Sequence, residues 1–242
     1  MVIKFGVLIF SFVLWCIINA ELTPDFHDFI SKNYGNGVAV SLDRLDMGSG
    51  TMGSFGGKKT RNEKIRNRVR NFIKAVYDYT NSQVVVMGYS MGVAITRKAI
   101  LGGYCVDTNE YLGKPLTNLV ETYIAVAGVA YGLEKCTPNF HACNVNNGMY
   151  CGSDYMRDLN RQKDRYEGKY SYYIFSESDY VIGKDCCGNF YCCGNFCPEL
   201  KNAYGVSAHQ TLDHGTALTM TKDIQLAMIK HENFDHIVPS YH

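Results

Sequence analysis

One stretch of the chain, residues 83–101, restricts the fold more than any other. Its first five residues, Gln-Val-Val-Val-Met, form an apolar run with the length of a buried strand. Gly88-Tyr89-Ser90-Met91-Gly92 follows, and a helical pattern then continues to Gly102-Gly103. Glycines on both sides of a serine allow a strand and a helix to meet in a sharp turn. The stretch therefore predicts a strand–turn–helix unit with Ser90 at the turn.

The rest of the chain alternates between helical and strand patterns. Residues 122–127 and 170–175 are apolar runs and are predicted as strands. Helical patterns cover residues 62–80, 155–166 and 221–231. Apolar strands separated by helices are typical of a parallel sheet that is covered on both faces. We therefore predict an α/β fold.

The helix over residues 62–80 is amphipathic. Its apolar residues share one face, and its basic residues lie mostly on the other face: Lys64, Arg66, Arg68 and Arg70. Such a cluster fits contacts with phosphates, but a solvated helix face is the commoner arrangement. We therefore expect these basic side chains to face solvent.

The first twenty residues read as a separate segment. Lys4 precedes a largely apolar run over residues 5–18, and the segment closes on Asn19-Ala20. This pattern is typical of a signal peptide cleaved after Ala20. An uncleaved membrane anchor is the alternative, but the run is short for a bilayer span. Residues 21–242 have the length of a single domain, which we expect to be secreted and extracellular.

The charges of the chain are nearly balanced. Lysine and arginine number 24, aspartate and glutamate number 23, and the net charge is +1. This balance predicts no global attraction to nucleic acid or to an anionic membrane. Any contact with a lipid surface is expected to be transient and to depend on local apolar groups.

The cysteines fit an exported protein. Ten are present, and Cys16 belongs to the predicted leader, so nine remain; an odd number leaves at least one thiol free or bonded to another chain. Five lie close together: Cys186, Cys187, Cys192, Cys193 and Cys197. Zinc binding is one explanation, but disulfides are more frequent in secreted chains. We therefore predict no metal site, and we expect Cys136, Cys143 and Cys151 to be disulfide partners of this cluster.

Ser90 has the position of a nucleophile. A serine at such a turn projects its hydroxyl away from the sheet, near the positive end of the following helix. The backbone N–H of Met91 then points to the place where an oxyanion forms during acyl transfer. A serine in this role needs a base, and the base needs an acid that orients it.

Asp179 is the predicted acid. It follows the strand over residues 170–175, at the end of the sheet where Ser90 is expected. Glu177 lies too close to the strand, and Asp185 adjoins the cysteine cluster. Asp213 precedes a histidine directly and is poorly placed to accept a hydrogen bond from its ring.

His214 is the predicted base among five histidines that follow the acid: His209, His214, His231, His236 and His242. It lies on a loop between a strand-like run, residues 206–212, and the last helix. A histidine on such a loop is able to reach over the serine. His231 and His236 come after the last helix, and we expect them to be surface residues.

Short motifs along most of the chain match one known family. They include Leu22-Thr23-Pro24-Asp25-Phe26, Ser54-Phe55-Gly56-Gly57-Lys58, the turn around Ser90, Cys105-Val106-Asp107-Thr108 and Arg165-Tyr166-Glu167-Gly168. In this combination the chain resembles a class 2 secreted lipase, of the branch abundant in roundworms. The resemblance implies an α/β-hydrolase fold and hydrolysis of carboxylic esters of lipids without a cofactor. It also places Ser90, Asp179 and His214 at the triad positions.

The chain departs from this family before the turn. Members carry a strand that ends in His-Gly, and its loop supplies a second oxyanion N–H; no such run occurs over residues 21–82. We therefore expect a sheet that is incomplete at its N-terminal side, with an unpaired edge at residues 83–87. A family cysteine is missing as well, which predicts that Cys105 is unpaired. The glycine-rich residues 53–57 are the one candidate for a replacement donor.

Three functions remain open on the sequence alone. The first is a secreted ester hydrolase that acts on lipids. The second is a catalytically impaired or vestigial lipase homologue that acts as a secreted binding protein. The third is a cysteine-rich secreted module whose function lies in residues 186–197.

Overall fold

A parallel sheet forms the centre of the protein. The structure is a computed structural model, and it describes residues 7–10, 23–38, 59–133, 136, 141–182 and 197–239. The sheet that it describes has five parallel strands in sequence order: β1 (Val7–Phe10), β2 (Val84–Tyr89), β3 (Val120–Val126), β4 (Tyr170–Ser176) and β5 (Gly205–His209). The predicted α/β fold is confirmed.

Helices cover both faces of the sheet. They are α1 (Pro24–Tyr34), α2 (Lys59–Thr80), α3 (Met91–Leu101), α4 (Asp154–Asn160), α5 (Thr216–Thr219) and α6 (Lys222–Lys230). Successive strand residues point to opposite faces, so Val86 of β2 packs with Val69 of α2, whereas Met87 packs with Ile224 and Met228 of α6. None of the helices in the described ranges is both long and apolar enough to span a bilayer.

Most predicted elements are found within a few residues of their expected bounds. The helix expected over residues 155–166 ends at Asn160, and neither α5 nor β1 was predicted. Helical periodicity specifies where a helix ends only when a glycine or proline follows it. A four-residue helix such as α5 is too short to show periodicity at all.

Arg70 corrects the prediction for the basic face of α2. Its side chain is only 2% exposed. The guanidinium donates hydrogen bonds to the carbonyl oxygens of Ala99 and Lys114, the second at 2.7 Å. Carbonyls at the end of a helix have no intrahelical partner, so Arg70 satisfies backbone acceptors near the end of α3. Periodicity does not reveal this role, because it depends on a neighbouring helix.

Strand β1 comes from the segment predicted as a signal peptide. Val7 to Phe10 pair in parallel with Val85 to Gly88 of β2. The expectation of an unpaired edge at residues 83–87 is therefore wrong for the full chain. The apolar run of residues 5–18 is typical of a signal peptide, so the sequence did not also indicate a strand there. Which strand a segment pairs with is not visible in its own sequence. Residues 39–58, which include the glycine-rich loop, lie outside the described residues.

The cysteines follow the prediction in part. Cys105 is a buried free thiol, as expected. Cys136 forms a disulfide with Cys143, across a Cα–Cα distance of 5.3 Å, so the prediction that both pair with the later cluster is wrong. Cys151 is disulfide-bonded as well. Residues 183–196, with four of the five clustered cysteines, lie outside the described residues.

Two buried ion pairs hold α3 in place. Arg97 Nε lies 2.9 Å from Glu167 Oε1, and Lys98 Nζ lies 2.6 Å from Asp158 Oδ2. Both cations are at most 3% exposed, and removal of one partner from such a pair leaves an uncompensated buried charge. Because α3 begins directly after Ser90, these pairs also hold the turn that carries the serine.

Candidate active site

Ser90 joins β2 to α3 in a backbone conformation that serine rarely adopts. Its φ is 54° and its ψ is −129°. The backbone N–H donates to the carbonyl of Val126 at 3.1 Å, and the carbonyl accepts from Val93 and Val129. A Cβ at Gly88 would lie 2.8 Å from Val93 Cα, so this position requires glycine for the close approach of strand and helix. Neighbouring backbone bonds thus maintain a strained turn that presents the hydroxyl.

Three side chains from separate segments meet at the carboxyl end of the sheet. His214 Nε2 lies 2.9 Å from Ser90 Oγ, and His214 Nδ1 lies 2.8 Å from Asp179 Oδ2. Asp179 follows β4, and His214 follows β5. The structure therefore brings together the three residues that the sequence predicted as a triad.

The hydrogen-bond partners of His214 assign its two nitrogens. A carboxylate only accepts hydrogen bonds, so Nδ1 carries the hydrogen that Asp179 receives. Nε2 is then left as an acceptor for the hydroxyl proton of Ser90. In this arrangement the imidazole is able to take that proton, and the carboxylate stabilises the imidazolium that results.

Asp179 is held on both of its oxygens. Oδ2 faces His214, and Oδ1 accepts hydrogen bonds from the backbone N–H groups of Val181 at 2.9 Å and Ile182 at 3.1 Å. The residue is only 3% exposed. Three hydrogen bonds to this buried carboxylate prevent its rotation. Asp179 therefore has a single orientation in which to accept the hydrogen bond from His214 Nδ1.

Asp213 has a different role from its neighbour. Its Oδ1 accepts from the backbone N–H and the hydroxyl of Thr216, the first residue of α5, each at 2.8 Å. These hydrogen bonds lower the pKa of the Asp213 carboxyl. As expected, this carboxylate does not bind the His214 ring. It stabilises the turn that follows the histidine.

The rival residues lie elsewhere. His231 and His236 are both exposed, as expected, and the ring of His231 contacts Tyr170 and Tyr172 near the amino ends of the strands. Glu177 is an exposed residue that donates its backbone N–H to the carbonyl of His209. Asp185 lies outside the described residues.

Met91 is the first residue of α3. The first backbone N–H groups of a helix lack intrahelical acceptors and attract anions, so the Met91 N–H is available beside Ser90. A second donor was predicted in residues 53–57, which the structure does not describe. The role of Met91 as an oxyanion donor therefore stays a prediction.

Tyr89 was not predicted from the sequence as part of the site. Its hydroxyl donates to the backbone carbonyl of His214 at 2.7 Å, and the two rings lie 4.9 Å apart. The position before Ser90 in the motif accepts many residue types, so the identity of Tyr89 indicated no role. Its place next to Ser90 was the one available signal.

One cavity of the described protein lies away from the triad. No group of three metal-binding side chains occurs within the described ranges. A cavity of about 400 Å³ is lined by Cys105, Asp158 and Arg161 among others, and by none of the triad residues.

A family model decides the classification of this fold and site. The model of class 2 lipases matches residues 53–227, which is more than half of the chain. This protein belongs to the class 2 lipase family. The match includes Ser90, Asp179 and His214. Among proteins of curated function, no sequence matches this lipase-family chain significantly.

Solved structures with a similar arrangement are distant. The mature Bacillus licheniformis lipase BlEst2 is 12% identical, with a TM-score of 0.45 over 71% of this chain and 75% of that one. Aspergillus fumigatus lipase B is 18% identical, with a TM-score of 0.42 over 65% of this chain and 35% of that one. The Paleococcus ferrophilus monoacylglycerol lipase is 9% identical, with a TM-score of 0.41 over 69% and 76%. The assignment to the class 2 lipases rests on the family match.

Proposed function

We propose that this protein is a secreted serine hydrolase that cleaves carboxylic esters of lipids through Ser90, His214 and Asp179. The observation that carries the proposal is the continuous hydrogen-bonded chain from Asp179 through His214 to Ser90, at 2.8 and 2.9 Å. Membership of the class 2 lipase family supports esters as the substrate class.

The first half of the reaction forms an acyl-enzyme. Ser90 Oγ attacks the ester carbonyl carbon while His214 Nε2 takes the hydroxyl proton. The carbonyl oxygen becomes an oxyanion, which the Met91 N–H stabilises. When the tetrahedral intermediate collapses, the bond to the alkoxy oxygen breaks and His214 gives its proton to the leaving alcohol.

The second half releases the fatty acid. Water attacks the acyl carbon, His214 again takes the proton, and the bond to Ser90 Oγ breaks as the proton returns to the serine. The products are one alcohol and one carboxylic acid, and Ser90, His214 and Asp179 are restored. Asp179 orients the ring of His214 and stabilises the imidazolium in both halves.

A secreted binding protein without catalysis is the second candidate. The observation that favours it is the absence of a His-Gly run over residues 21–82, which removes the family's source of a second oxyanion donor. Loss of one such donor typically lowers kcat about 10²–10³-fold. This candidate predicts a folded protein in which Ser90 does not react.

Labelling with a fluorophosphonate separates the two candidates. Such a probe phosphonylates a serine only when a base activates it, so wild-type protein should be labelled at Ser90 and should hydrolyse a short-chain chromogenic ester. Ser90→Ala should lose both properties. Ser207→Ala is the matched control, because Ser207 Oγ also lies 2.9 Å from a histidine nitrogen, that of His209, but on an ordinary strand.

The control variant should be labelled and active like the wild type. A folded wild-type protein that neither reacts with the probe nor hydrolyses the ester supports the binding protein. Equal labelling of wild type and Ser90→Ala contradicts the assignment of the nucleophile.

A further inference from the structure

Tyr89 contacts the histidine of the site at two places. It is the last residue of β2, and its side chain points to the face of the sheet that α6 covers. The hydroxyl donates to the backbone carbonyl of His214 at 2.7 Å, and the phenol and imidazole centroids lie 4.9 Å apart with a tilt of 34°. The residue is only 1% exposed. A buried tyrosine thus contacts both the main chain and the ring of His214.

The position of Tyr89 in the chain makes these contacts informative. Ser90 is its direct neighbour, and the turn between them is held by backbone hydrogen bonds to β3 and α3. A rigid pair of consecutive residues therefore contacts His214 twice: Tyr89 at the carbonyl oxygen and Ser90 at Nε2. Since His214 lies on a loop, its own backbone does not determine this distance.

The charges nearby keep the phenol in its donor form. Burial raises the pKa of Tyr89, and the negative charges of Asp179 and Asp213 raise it further. A protonated phenol donates its hydrogen to a carbonyl, as observed here. The contact is therefore a stable feature of the folded protein across the ordinary pH range.

We propose that Tyr89 is a positioning residue that sets the distance between His214 Nε2 and Ser90 Oγ. The proposal rests on the ester hydrolysis proposed above. Tyr89 touches no reacting atom, and it acts through the loop of His214. Without its hydroxyl, the carbonyl of His214 loses a donor in a half-buried place and the loop is free to shift. A small displacement of a base is costly because proton transfer requires hydrogen-bond distance in the reacting complex.

Tyr89→Phe tests the proposal, since it removes one oxygen and keeps the ring. The matched control is Tyr172→Phe, because Tyr172 is similarly buried and its hydroxyl also contacts a histidine, His231 Nδ1 at 3.0 Å. Each variant is compared with the wild type for kcat and KM on a chromogenic ester, and for its melting temperature. A third measurement is the low-field proton resonance of His214 Nδ1–H, assigned by its absence in His214→Ala.

We expect Tyr89→Phe to lower kcat about tenfold with an unchanged KM, which corresponds to the loss of one hydrogen bond at the transition state. The low-field resonance should broaden, because a looser loop lets the Nδ1 hydrogen exchange with water. Tyr172→Phe should lower the melting temperature about as much as Tyr89→Phe does. Its kcat and the low-field resonance should stay unchanged.

Two results overturn the proposal. One is a Tyr89→Phe protein whose kcat lies within about twofold of the wild type. The other is an equal loss of kcat in both variants, which indicates a general loss of stability. If the wild type hydrolyses no ester, the proposed function fails, and the resonance still decides: an unchanged signal in Tyr89→Phe contradicts the positioning role.

Discussion

Two tyrosine–histidine pairs lie at opposite ends of the same sheet. At the carboxyl end, Tyr89 contacts His214, and near the amino end Tyr172 contacts His231. Both ring nitrogens of both histidines have a partner in the protein. The residue types and the presence of hydrogen-bond partners are therefore the same in the two pairs. The difference lies in the chemical nature of the partners of each histidine.

The partners of His214 prepare it for proton transfer. Its Nδ1 faces the carboxylate of Asp179, and its Nε2 faces the hydroxyl of Ser90. A negative charge on one nitrogen stabilises the imidazolium that forms when the other nitrogen takes a proton.

The two ring nitrogens of His231 contact hydroxyl groups instead. Its Nδ1 lies 3.0 Å from the hydroxyl of Tyr172, its Nε2 lies 3.4 Å from that of Thr122, and its ring packs on Tyr170. A neutral hydroxyl gives an imidazolium little stabilisation compared with a carboxylate. A buried charge beside one nitrogen, and not a hydrogen bond as such, therefore distinguishes the candidate base His214 from His231.

The largest expected difference between the two ends comes from removing each histidine. His214→Ala should lower kcat about 10⁴–10⁶-fold, because the serine loses its base. His231→Ala should keep nearly full activity and lose about 1 kcal/mol of stability through its lost hydrogen bond. Ester turnover and chemical denaturation of both variants measure this. Comparable activity in His214→Ala would sink the assignment of the base.

The second difference concerns the partner of Nδ1. Asp179→Asn keeps the size of the side chain but removes the charge, and the amide is able to donate to Nδ1, which favours the wrong tautomer. We expect kcat to fall about 10³–10⁴-fold. Thr122→Val removes the partner of His231 Nε2 and should leave kcat near the wild-type value. Steady-state kinetics of both variants decide this, and an active Asp179→Asn protein would show that the charge is dispensable.

The smallest effect concerns the strands that carry the two pairs. We propose that the protein is secreted after cleavage at Ala20, which removes β1 and makes β2 the edge of the described sheet. β4, which carries Tyr172, stays between β3 and β5. Backbone amides of β2 should therefore exchange with deuterium faster than those of β4, because edge amides lack a neighbouring strand.

Mass spectrometry measures both parts of this prediction. The intact mass of the secreted protein should correspond to a chain that begins at Glu21, and peptides over residues 84–89 and 170–176 report the exchange. A secreted protein that keeps residues 7–10 contradicts the cleavage. Equal protection of β2 and β4 in a chain that begins at Glu21 indicates that another segment has replaced β1.

Patterns of neighbouring residues predicted those helices, strands and turns that depend on interactions within a short segment. The apolar run before Ser90 and the flanking glycines predicted β2, the turn and α3, because burial and backbone freedom are properties of neighbouring residues. The order of Asp179 and His214 after later strands selected both residues from several rivals. Parallel strands present their carboxyl ends at one edge of a sheet, so position along the chain was sufficient there.

Contacts between distant segments could not be predicted in this way. Tyr89 and His214 are 125 residues apart in the sequence. A tyrosine in that motif does not indicate whether its hydroxyl contacts the loop of His214 or only packs in the core. Arg70 was expected in solvent because helical periodicity describes one helix, whereas its acceptors lie near the end of another. The Cys136–Cys143 disulfide depended on which Cα atoms come within bridging distance.

The sequence by itself determined that this chain folds as an α/β protein with Ser90 at a sharp turn between a strand and a helix, since turn chemistry and apolar periodicity act over a few residues. Only the tertiary structure decided which histidine nitrogen faces a carboxylate and which residue holds the histidine loop. The physical reason is the range of these interactions. Hydrogen bonds and ion pairs join atoms about 3 Å apart in space, and such atoms belong to residues at any separation along the sequence.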